Sequence, residues 1–237
     1  MLKAVVLAGG KGTRLAPYTR ILPKPLMPIG DMPILEVLVR QMKQAGIGEV
    51  IVTVGHLANL LKTYFSDGSQ FGVIISYSIE DYPLGTAGPL ALIQGLDQTF
   101  MVTNGDVLTT LNMNELIAYH QAQGAAATIA MHKRQVKIDF GVIGCDDNNQ
   151  VIGYTEKPAY DYLVSMGVYV FEPRVLAHIT RGQYLDFPDL VLKLIAAGEK
   201  VAGYPFDGYW QDLGRPDDYE QANREFEKMR HLFLLDE

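Results

Sequence analysis

Apolar and polar positions along the first half of the chain alternate between short β-branched runs and longer amphipathic stretches. This pattern predicts strands at residues 2–8, 50–55, 73–80 and 100–103 and helices at 34–45, 87–95 and 113–123. The first of these helices is followed by Gly46, a residue type that commonly ends helices. Because helical crossovers favour parallel pairing of strands, this half predicts an α/β fold with a doubly wound, mostly parallel sheet.

The second half is richer in strands, which are predicted at residues 125–133, 140–145, 151–154, 164–171 and 200–205. The polar run 146–149 has the composition of a hairpin turn. A helix is predicted at 187–197, and a last helix begins near Pro216, a favoured residue in a first turn. The apolar tail 231–235 has two interpretations, packing on its own chain or contact with a second copy in a homo-oligomer. With no linker or repeat, we expect a single domain over residues 1–237.

Composition narrows the class of partner. The formal net charge of −7 argues against nucleic acid or a membrane surface, both of which favour a basic face. The single cysteine, Cys145, has no internal partner and is expected to be a small buried side chain in a reducing compartment. No signal-peptide pattern and no run of membrane-spanning length is found, so we expect a cytoplasmic protein with no membrane partner.

The first predicted strand runs directly into a glycine-rich stretch, Gly9 to Leu15, and Pro23-Lys24-Pro25 follows shortly after. Glycines let the backbone approach a ligand closely, and their N–H groups can face phosphate oxygens. The spacing matches neither a P-loop nor a dinucleotide fingerprint, and the glycines alone are equally consistent with a tight turn. Arg14 and Lys24 add positive charge that a turn does not require, so the stretch favours a nucleoside triphosphate.

Further polar or glycine-rich clusters follow later predicted strands, at residues 84–88, 104–106 and 156–158, and one at 210–214 precedes the last helix. Each alone is explained by a turn, a helix cap or a surface ion pair. Ligands in open α/β sheets bind at the carboxyl ends of the strands, where most of these clusters fall. Together they therefore predict one ligand site.

These motifs, in this order, resemble a known family. The opening signature contains Gly10, Gly12-Thr13-Arg14-Leu15, Pro17, Thr19 and Pro23-Lys24-Pro25. The later motifs are Leu84-Gly85-Thr86-Ala87-Gly88, Asn104-Gly105-Asp106, Phe140-Gly141-Val142, Glu156-Lys157-Pro158, Met166-Gly167-Val168-Tyr169 and Trp210-x-Asp212-x-Gly214. Over essentially its whole length the chain resembles the sugar-1-phosphate nucleotidylyltransferases, or nucleotide-sugar pyrophosphorylases, and most closely their mannose-1-phosphate guanylyltransferase-like members.

The resemblance implies a Rossmann-like nucleotide-diphospho-sugar transferase fold, with a nucleotide-binding part at roughly 1–110 and a sugar-phosphate-binding part at roughly 111–237. It implies the reaction of an NTP with a sugar 1-phosphate to give an NDP-sugar and pyrophosphate. It also leads us to expect that the C-terminal β-helix or acyltransferase domain of bifunctional members is absent.

The resemblance also implies residue roles. Asp106 and Asp212 would hold the Mg²⁺ cofactor, and with Arg14 and Lys24 they form the implied catalytic set. Nucleotide binding falls to Leu7, Ala8, Gly9, Gly10, Gly12, Thr13, Arg14, Glu80, Gly85, Thr86, Ala87 and Asp106. Sugar-phosphate binding falls to Asn104, Gly141, Glu156, Lys157, Ser165 and Gly167, with Ser165 standing where many relatives have Asn.

Glu80 lies just before the second glycine-rich motif, where the resemblance places a side chain that contacts the base. A carboxylate only accepts hydrogen bonds, which suits the adjacent N1–H and N2 amino donors of guanine. The alternative is that Glu80 merely ends a strand and faces solvent. We therefore expect GTP with mannose 1-phosphate or a manno-heptose 1-phosphate, ahead of dTTP or UTP with glucose 1-phosphate.

Two functions of other classes stay open at this stage. A non-catalytic regulatory protein that binds nucleotide sugars is expected to lack a phosphate or magnesium ligand, whereas Arg14, Lys24, Asp106 and Asp212 are all present. A glycosyltransferase would usually carry an Asp-x-Asp metal motif, but Asp106 is followed by Val-Leu.

Overall fold

The computed structural model describes residues 2–234. Five α-helices lie within this range: α1 Ile34–Gln44, α2 Ala58–Phe65, α3 Met113–Gln123, α4 Phe187–Ala196 and α5 Pro216–Phe233. Thirteen strands accompany them: β1 Lys3–Ala8, β2 Pro28–Ile29, β3 Met32–Pro33, β4 Glu49–Val54, β5 Ile74–Ile79, β6 Phe100–Asn104, β7 Val107–Thr109, β8 Ala127–Lys137, β9 Val142–Cys145, β10 Val151–Thr155, β11 Ala159–Phe171, β12 Val201–Phe206 and β13 Trp210–Asp212.

The helix ends follow from local sequence. The side chain of Asn112 accepts hydrogen bonds from the first free N–H groups of α3, at 3.0 and 3.3 Å, and so caps the helix. Gly46 and Gly124 follow the ends of α1 and α3 with φ values of +76° and +55°, a region that glycine adopts without steric cost. Pro216 occupies the first turn of α5, as the sequence predicts.

The central sheet has seven strands in the order β12-β8-β11-β6-β1-β4-β5. The pairs β6–β1, β1–β4, β4–β5 and β8–β12 are parallel, and β11 is antiparallel to both of its neighbours. The predicted α/β class with a mixed, mostly parallel sheet is confirmed. The carboxyl ends of β5, β4, β1 and β6 therefore lie side by side at one edge of the sheet.

Both faces of this sheet are buried. Along β1, Val6 packs into a hydrophobic cluster with α1 and α2, while the adjacent Val5 packs into a second cluster with α4. A third cluster joins α1 to α5 through Phe226 and Phe233. Phe233 and Leu234 are buried there, so this part of the apolar tail packs on its own chain, while Leu235 lies outside the described residues.

The outer halves of β8 and β11 extend beyond the sheet as a two-stranded ladder, and β9 and β10 form a separate hairpin. We call residues 133–165 the arm. Most of its side chains are exposed, including Cys145. The expectation that Cys145 is buried is therefore wrong, because the hairpin that carries it packs against no second layer.

The predicted helix at 87–95 is also wrong, because only a short 3-10 helix, Gly88–Leu92, forms there. The N–H groups of Ala87 and Gly88 both donate to the Leu185 carbonyl, which ties the start of this stretch to a distant segment. Helix α2 and strands β2, β3, β7 and β13 were not predicted. Within residues 2–234, no helix combines the length and apolarity that a membrane crossing demands.

Candidate functional site

A cavity of about 500 Å³ opens at the carboxyl edge of the sheet. Loops that follow β1, β5 and β6 supply most of its walls. The residues that line it are Leu7, Ala8, Gly9, Gly10, Gly12, Thr13, Arg14, Lys24, Pro25, Thr53, Glu80, Pro83, Gly85, Thr86, Asn104, Gly105, Asp106, Tyr184 and Asp186. The structure therefore brings most of the predicted nucleotide residues together around one space.

The glycine-rich loop after β1 forms one wall. Gly12 has φ +61° and begins a 3-10 turn, and the Thr19 hydroxyl donates a hydrogen bond to the Gly12 carbonyl at 2.8 Å. A Cβ at Gly12 would lie 2.9 Å from the Thr19 methyl group, so both conformation and space favour glycine. The loop leaves Arg14 exposed beside the cavity.

Lys24 lies at the centre of the charged end of the cavity. Its side chain is buried, and its ammonium group contacts the carboxylate of Asp106 and lies 3.6 Å from Asp212 Oδ1. The pairing of β7 with β13 explains this meeting, because Asp212 is opposite Val107 and the Leu213 N–H donates to the Asp106 carbonyl at 3.1 Å. Two aspartates that are far apart in sequence thus flank one lysine.

This end of the cavity suits a magnesium ion. Asp212 Oδ1 is buried and has no hydrogen-bond donor, which leaves a carboxylate oxygen available as a ligand. Magnesium commonly takes one or two protein carboxylates and completes its shell with substrate phosphates and water. Asp106 and Asp212 would supply the carboxylates of such a shared shell. Residues 2–234 contain no group of three or more His, Cys, Asp or Glu side chains arranged for a metal.

The opposite end of the cavity lies after β5. Strand β5 is three strands away from β6 in the sheet, so these two strands are roughly 14 Å apart at ~4.8 Å per strand. Glu80 accepts a hydrogen bond from the Leu84 N–H at 3.1 Å, and its other oxygen faces Gly9 so closely that a Cβ there would lie 2.5 Å away. Burial raises the pKa of Glu80, an effect that the bond from Leu84 opposes.

A second segment, residues 182–187, covers the loop that contains Gly85 and Thr86. The Thr86 N–H and hydroxyl donate to Asp186 Oδ1 at 2.9 and 3.1 Å, and the Tyr184 hydroxyl donates to Asp186 Oδ2 at 2.7 Å. Sequence reasoning missed Tyr184 and Asp186, because no local pattern marks residues that meet a loop about a hundred positions away. It also missed Pro25, Thr53, Pro83 and Gly105 as lining residues.

Ala87 is a predicted nucleotide residue that does not line the cavity. It is fully buried in the core, and its N–H donates to the Leu185 carbonyl at 2.9 Å. Its N–H is therefore already bonded to the segment 182–187 and does not face the cavity.

The predicted sugar-phosphate residues are only partly brought together. Asn104 lines the cavity and packs against Gly167, where a Cβ would lie 2.5 Å from Asn104 Nδ2 and where the φ of +73° also favours glycine. The others, Gly141, Glu156, Lys157 and Ser165, lie on the arm and outside the cavity lining. On the arm, the Tyr154 hydroxyl donates to Glu156 at 3.1 Å and packs against Gly141.

Comparison with known proteins agrees with this geometry. The family model described as nucleotidyl transferase matches residues 3–229. The chain belongs to the nucleotidyl transferase family. This membership confirms the resemblance to sugar-1-phosphate nucleotidylyltransferases stated from the motifs.

Curated relatives carry two different activities. A UTP–glucose-1-phosphate uridylyltransferase of Synechocystis is 38% identical over 94% of this chain and 63% of its own length. A mannose-1-phosphate guanylyltransferase of Mycobacterium tuberculosis is 36% identical over 93% of this chain and 63% of its own length. The chain thus spans about 63% of the length of these relatives.

A solved structure of UDP-glucose pyrophosphorylase, in complex with UDP-glucose, superposes with a TM-score of 0.73. The two sequences are 20% identical, and the match covers 97% of this chain and all of the solved chain. This likeness supports the fold alone.

Proposed function

We propose that the chain transfers a nucleotidyl group from an NTP to a sugar 1-phosphate and releases pyrophosphate. The observation that carries the proposal is the cavity itself, in which a glycine-rich loop, Lys24 and Asp106 surround one end, while Asp212, outside the lining, lies 3.6 Å from the Lys24 ammonium. A protein that only needed a tight turn after β1 would not place a buried lysine between two aspartates there.

In this reaction an oxygen of the sugar phosphate attacks the α-phosphorus of the NTP in line. A P–O bond forms to the sugar phosphate as the bond from the α-phosphorus to the pyrophosphate oxygen breaks, and pyrophosphate leaves with the electron pair. The attacking oxygen is already an anion, so no protein nucleophile is required. Catalysis then consists of positioning and charge neutralisation.

The residues divide this work by their location. N–H groups of the loop from Gly10 to Arg14 bind the β- and γ-phosphates, and the Arg14 guanidinium adds charge. Lys24 neutralises the α-phosphate and the incoming sugar phosphate. Asp106 and Asp212 would hold Mg²⁺, which neutralises phosphate charge when bound. The Lys24 ammonium contacts the Asp106 carboxylate, which keeps it beside the carboxylate pair where it can neutralise phosphate charge.

For the base, GTP is the proposed nucleotide. Glu80 supports it, because a half-buried carboxylate that faces the cavity matches two adjacent N–H donors on guanine. Mannose 1-phosphate or a manno-heptose 1-phosphate follows as the acceptor from the guanylyltransferase-like motif after β5 and from relatives such as the Mycobacterium tuberculosis guanylyltransferase. The second candidate is UTP or dTTP with glucose 1-phosphate, which the Synechocystis relative favours.

The arm is the proposed contact for the sugar phosphate. Lys157 and Glu156 would bind its phosphate and hydroxyls, and Gly141, Ser165 and Gly167 would line the sugar. Since these residues except Gly167 lie on the arm outside the cavity, binding by them requires the arm and the cavity to approach the same ligand. The division into a nucleotide part at 1–110 and a sugar-phosphate part at 111–237 within one domain, and any homo-oligomer, stay predictions.

The test is pyrophosphate release in the presence of Mg²⁺, with GTP, UTP and dTTP crossed against mannose, glucose and heptose 1-phosphates. Release that requires both substrates supports the proposed reaction, and the best pair identifies base and sugar together. Nucleotide-sugar binding without release from any pair would instead favour a non-catalytic regulatory protein.

A further inference from the structure

Residues 182–187, the covering segment, are held firmly against the loop after β5. The Phe187 N–H donates to the Thr86 hydroxyl at 2.8 Å, and the Leu185 N–H donates to the Leu84 carbonyl at 2.9 Å. A Cβ at Gly85 would lie 2.5 Å from the Leu185 carbonyl oxygen, so the two segments are in backbone contact. Tyr184 and Asp186 are thereby fixed at the β5 end of the cavity.

The hydrogen bonds of Asp186 determine whether this wall of the cavity donates hydrogen bonds to a ligand or accepts them. Although burial opposes it, bonds from Tyr184 and Thr86 hold the pKa of Asp186 below its usual range. The bond to Asp186 raises the pKa of Tyr184, so the phenol stays protonated and donates its only hydrogen to the carboxylate. Its oxygen can then only accept a hydrogen bond from a ligand.

Thr86 is fully engaged by the same contacts. Its hydroxyl donates to Asp186 and accepts from the Phe187 N–H, and its own N–H also donates to Asp186. It holds Asp186 in place and has no hydrogen left to donate to a ligand. Among these residues, Tyr184 is the one that presents an exposed side chain at the cavity.

We propose that Tyr184 is a specificity-determining residue whose phenol oxygen accepts a hydrogen bond from the nucleoside, with Asp186 and Thr86 as positioning residues. The inference rests on the proposed nucleotidyl transfer. The nucleoside is the relevant part of the ligand, because Tyr184 belongs to the segment held against the loop after β5, whereas Asp106 follows β6, three strands away in the sheet. The donor it recognises is a ribose 2′-hydroxyl or the 2-amino group of guanine. Glu80 on the same wall also only accepts, so the wall favours nucleosides that present donors.

The first test compares GTP, dGTP and ITP in the wild type and in Tyr184→Phe, by kcat/KM for pyrophosphate release and by calorimetric binding. One neutral hydrogen bond is worth about a threefold to tenfold preference. If the 2′-hydroxyl is the donor, the wild type prefers GTP over dGTP by this factor; if the 2-amino group is, it prefers GTP over ITP. In Tyr184→Phe the preference for GTP over dGTP disappears, or the preference for GTP over ITP falls by this factor to the part that Glu80 contributes, through KM with kcat unchanged. If UTP is the preferred nucleotide, the comparison uses UTP and dUTP in place of GTP, dGTP and ITP.

A second variant changes the Tyr184 hydroxyl from a hydrogen-bond acceptor toward the ligand into a donor. In Asp186→Asn the amide oxygen can keep the bonds from Thr86, while the amide N–H₂ donates to Tyr184 and releases the phenol hydrogen toward the cavity. Nucleosides that present carbonyl oxygens should then gain relative to those that present donors. If the 2-amino group is the recognised donor, we expect the ratio of GTP to UTP affinity to fall about threefold to tenfold, whereas recognition of the 2′-hydroxyl, which both nucleotides carry, leaves this ratio unchanged. A residue that only stabilised the loop would weaken all nucleotides equally.

The matched control is Tyr82→Phe. The Tyr82 hydroxyl donates to the Gly182 carbonyl at 3.0 Å and so holds the same segment, but Tyr82 does not line the cavity. It should keep the wild-type preference. Equal affinity of the wild type for GTP, dGTP and ITP, an unchanged preference in Tyr184→Phe, or an equal loss in Tyr82→Phe overturns the inference. Calorimetry measures nucleotide binding without turnover. If no pair of substrates is turned over, the proposed function is refuted, but the binding data still test the role of Tyr184.

Discussion

Glu80→Gln offers the sharpest test of nucleotide selection. The substitution keeps the size of the side chain and an oxygen that can accept the Leu84 N–H, but it removes the negative charge and replaces one acceptor by a donor. Guanine, with two adjacent donors, loses a favourable partner. Uracil and thymine, with one donor between two carbonyls, gain one. The ratio of GTP to UTP specificity should therefore fall.

The structure sets the size of this effect. A hydrogen bond to a charged group is worth about 1.5–3 kcal/mol, and the lower end applies because Glu80 is only half-buried and already accepts from Leu84. A loss of about 1.5 kcal/mol corresponds to roughly a tenfold fall in the ratio of kcat/KM for GTP to that for UTP. The assay is pyrophosphate release with each nucleotide at a fixed concentration of the best sugar 1-phosphate.

Asp81→Asn is the matched control, because it removes the same charge from the adjacent, exposed position that does not line the cavity. It should leave the ratio unchanged. Acidification supplies a second readout: burial raises the pKa of Glu80, so its carboxylate becomes protonated at a higher pH than that of an exposed glutamate. The preference for GTP should decline over that range in the wild type but not in Glu80→Gln. An identical ratio in Glu80→Gln and the wild type would refute base recognition by Glu80.

Three further outcomes are expected. Asp106→Ala should abolish Mg²⁺-dependent turnover while circular dichroism stays native, whereas Asp147→Ala on the exposed hairpin should retain activity; unchanged turnover in Asp106→Ala would exclude the metal assignment. Gly85→Ala should lower the free energy of unfolding by at least ~1–2 kcal/mol in urea titrations, since Gly85 has φ +78° and contacts the covering segment; native stability would contradict that packing. Burial lowers the pKa of His120. Although burial opposes it, hydrogen bonds from Thr99 and His120 hold the pKa of Glu172 below its usual value. The unfolded chain therefore binds more protons, and thermal stability should fall as pH drops below about 6.5, less so in His120→Gln; equal slopes would argue against this pair.

Periodicity predicted the central strands and three of the helices well, because buried parallel strands are continuous apolar runs and amphipathic helices carry a regular stripe. Periodicity gave wrong predictions where contacts between segments distant in sequence decide the local structure. The stretch 87–95 has the composition of a helix, but the N–H groups at its start bind the Leu185 carbonyl. Cys145 has the character of a buried residue, but its hairpin lies in the exposed arm.

The same distinction applies to the site. The proposed phosphate and metal end was predictable in part because the glycine loop and Asp106 follow β1 and β6, which pair in the sheet, so topology alone brings them together. Asp186 illustrates the opposite case. Immediately before Phe187 and a proline, it has the sequence pattern of a helix N-cap. Its side chain instead binds Thr86 and Tyr184, and its backbone carbonyl accepts from the Leu190 N–H.

This difference has a consequence for how selectivity is distributed in the molecule. The backbone N–H groups that are proposed to bind phosphate lie at a strand end, because the glycine-rich loop that carries them follows β1. A residue that selects the nucleoside only has to reach the far wall, and a segment distant in sequence can supply it. Tyr184 reaches the cavity this way, through a carboxylate that the β5 loop holds in place. Substitutions in the covering segment are therefore expected to change nucleotide preference with little effect on the chemical step, whereas substitutions at Lys24 or Asp106 should reduce turnover with every nucleotide.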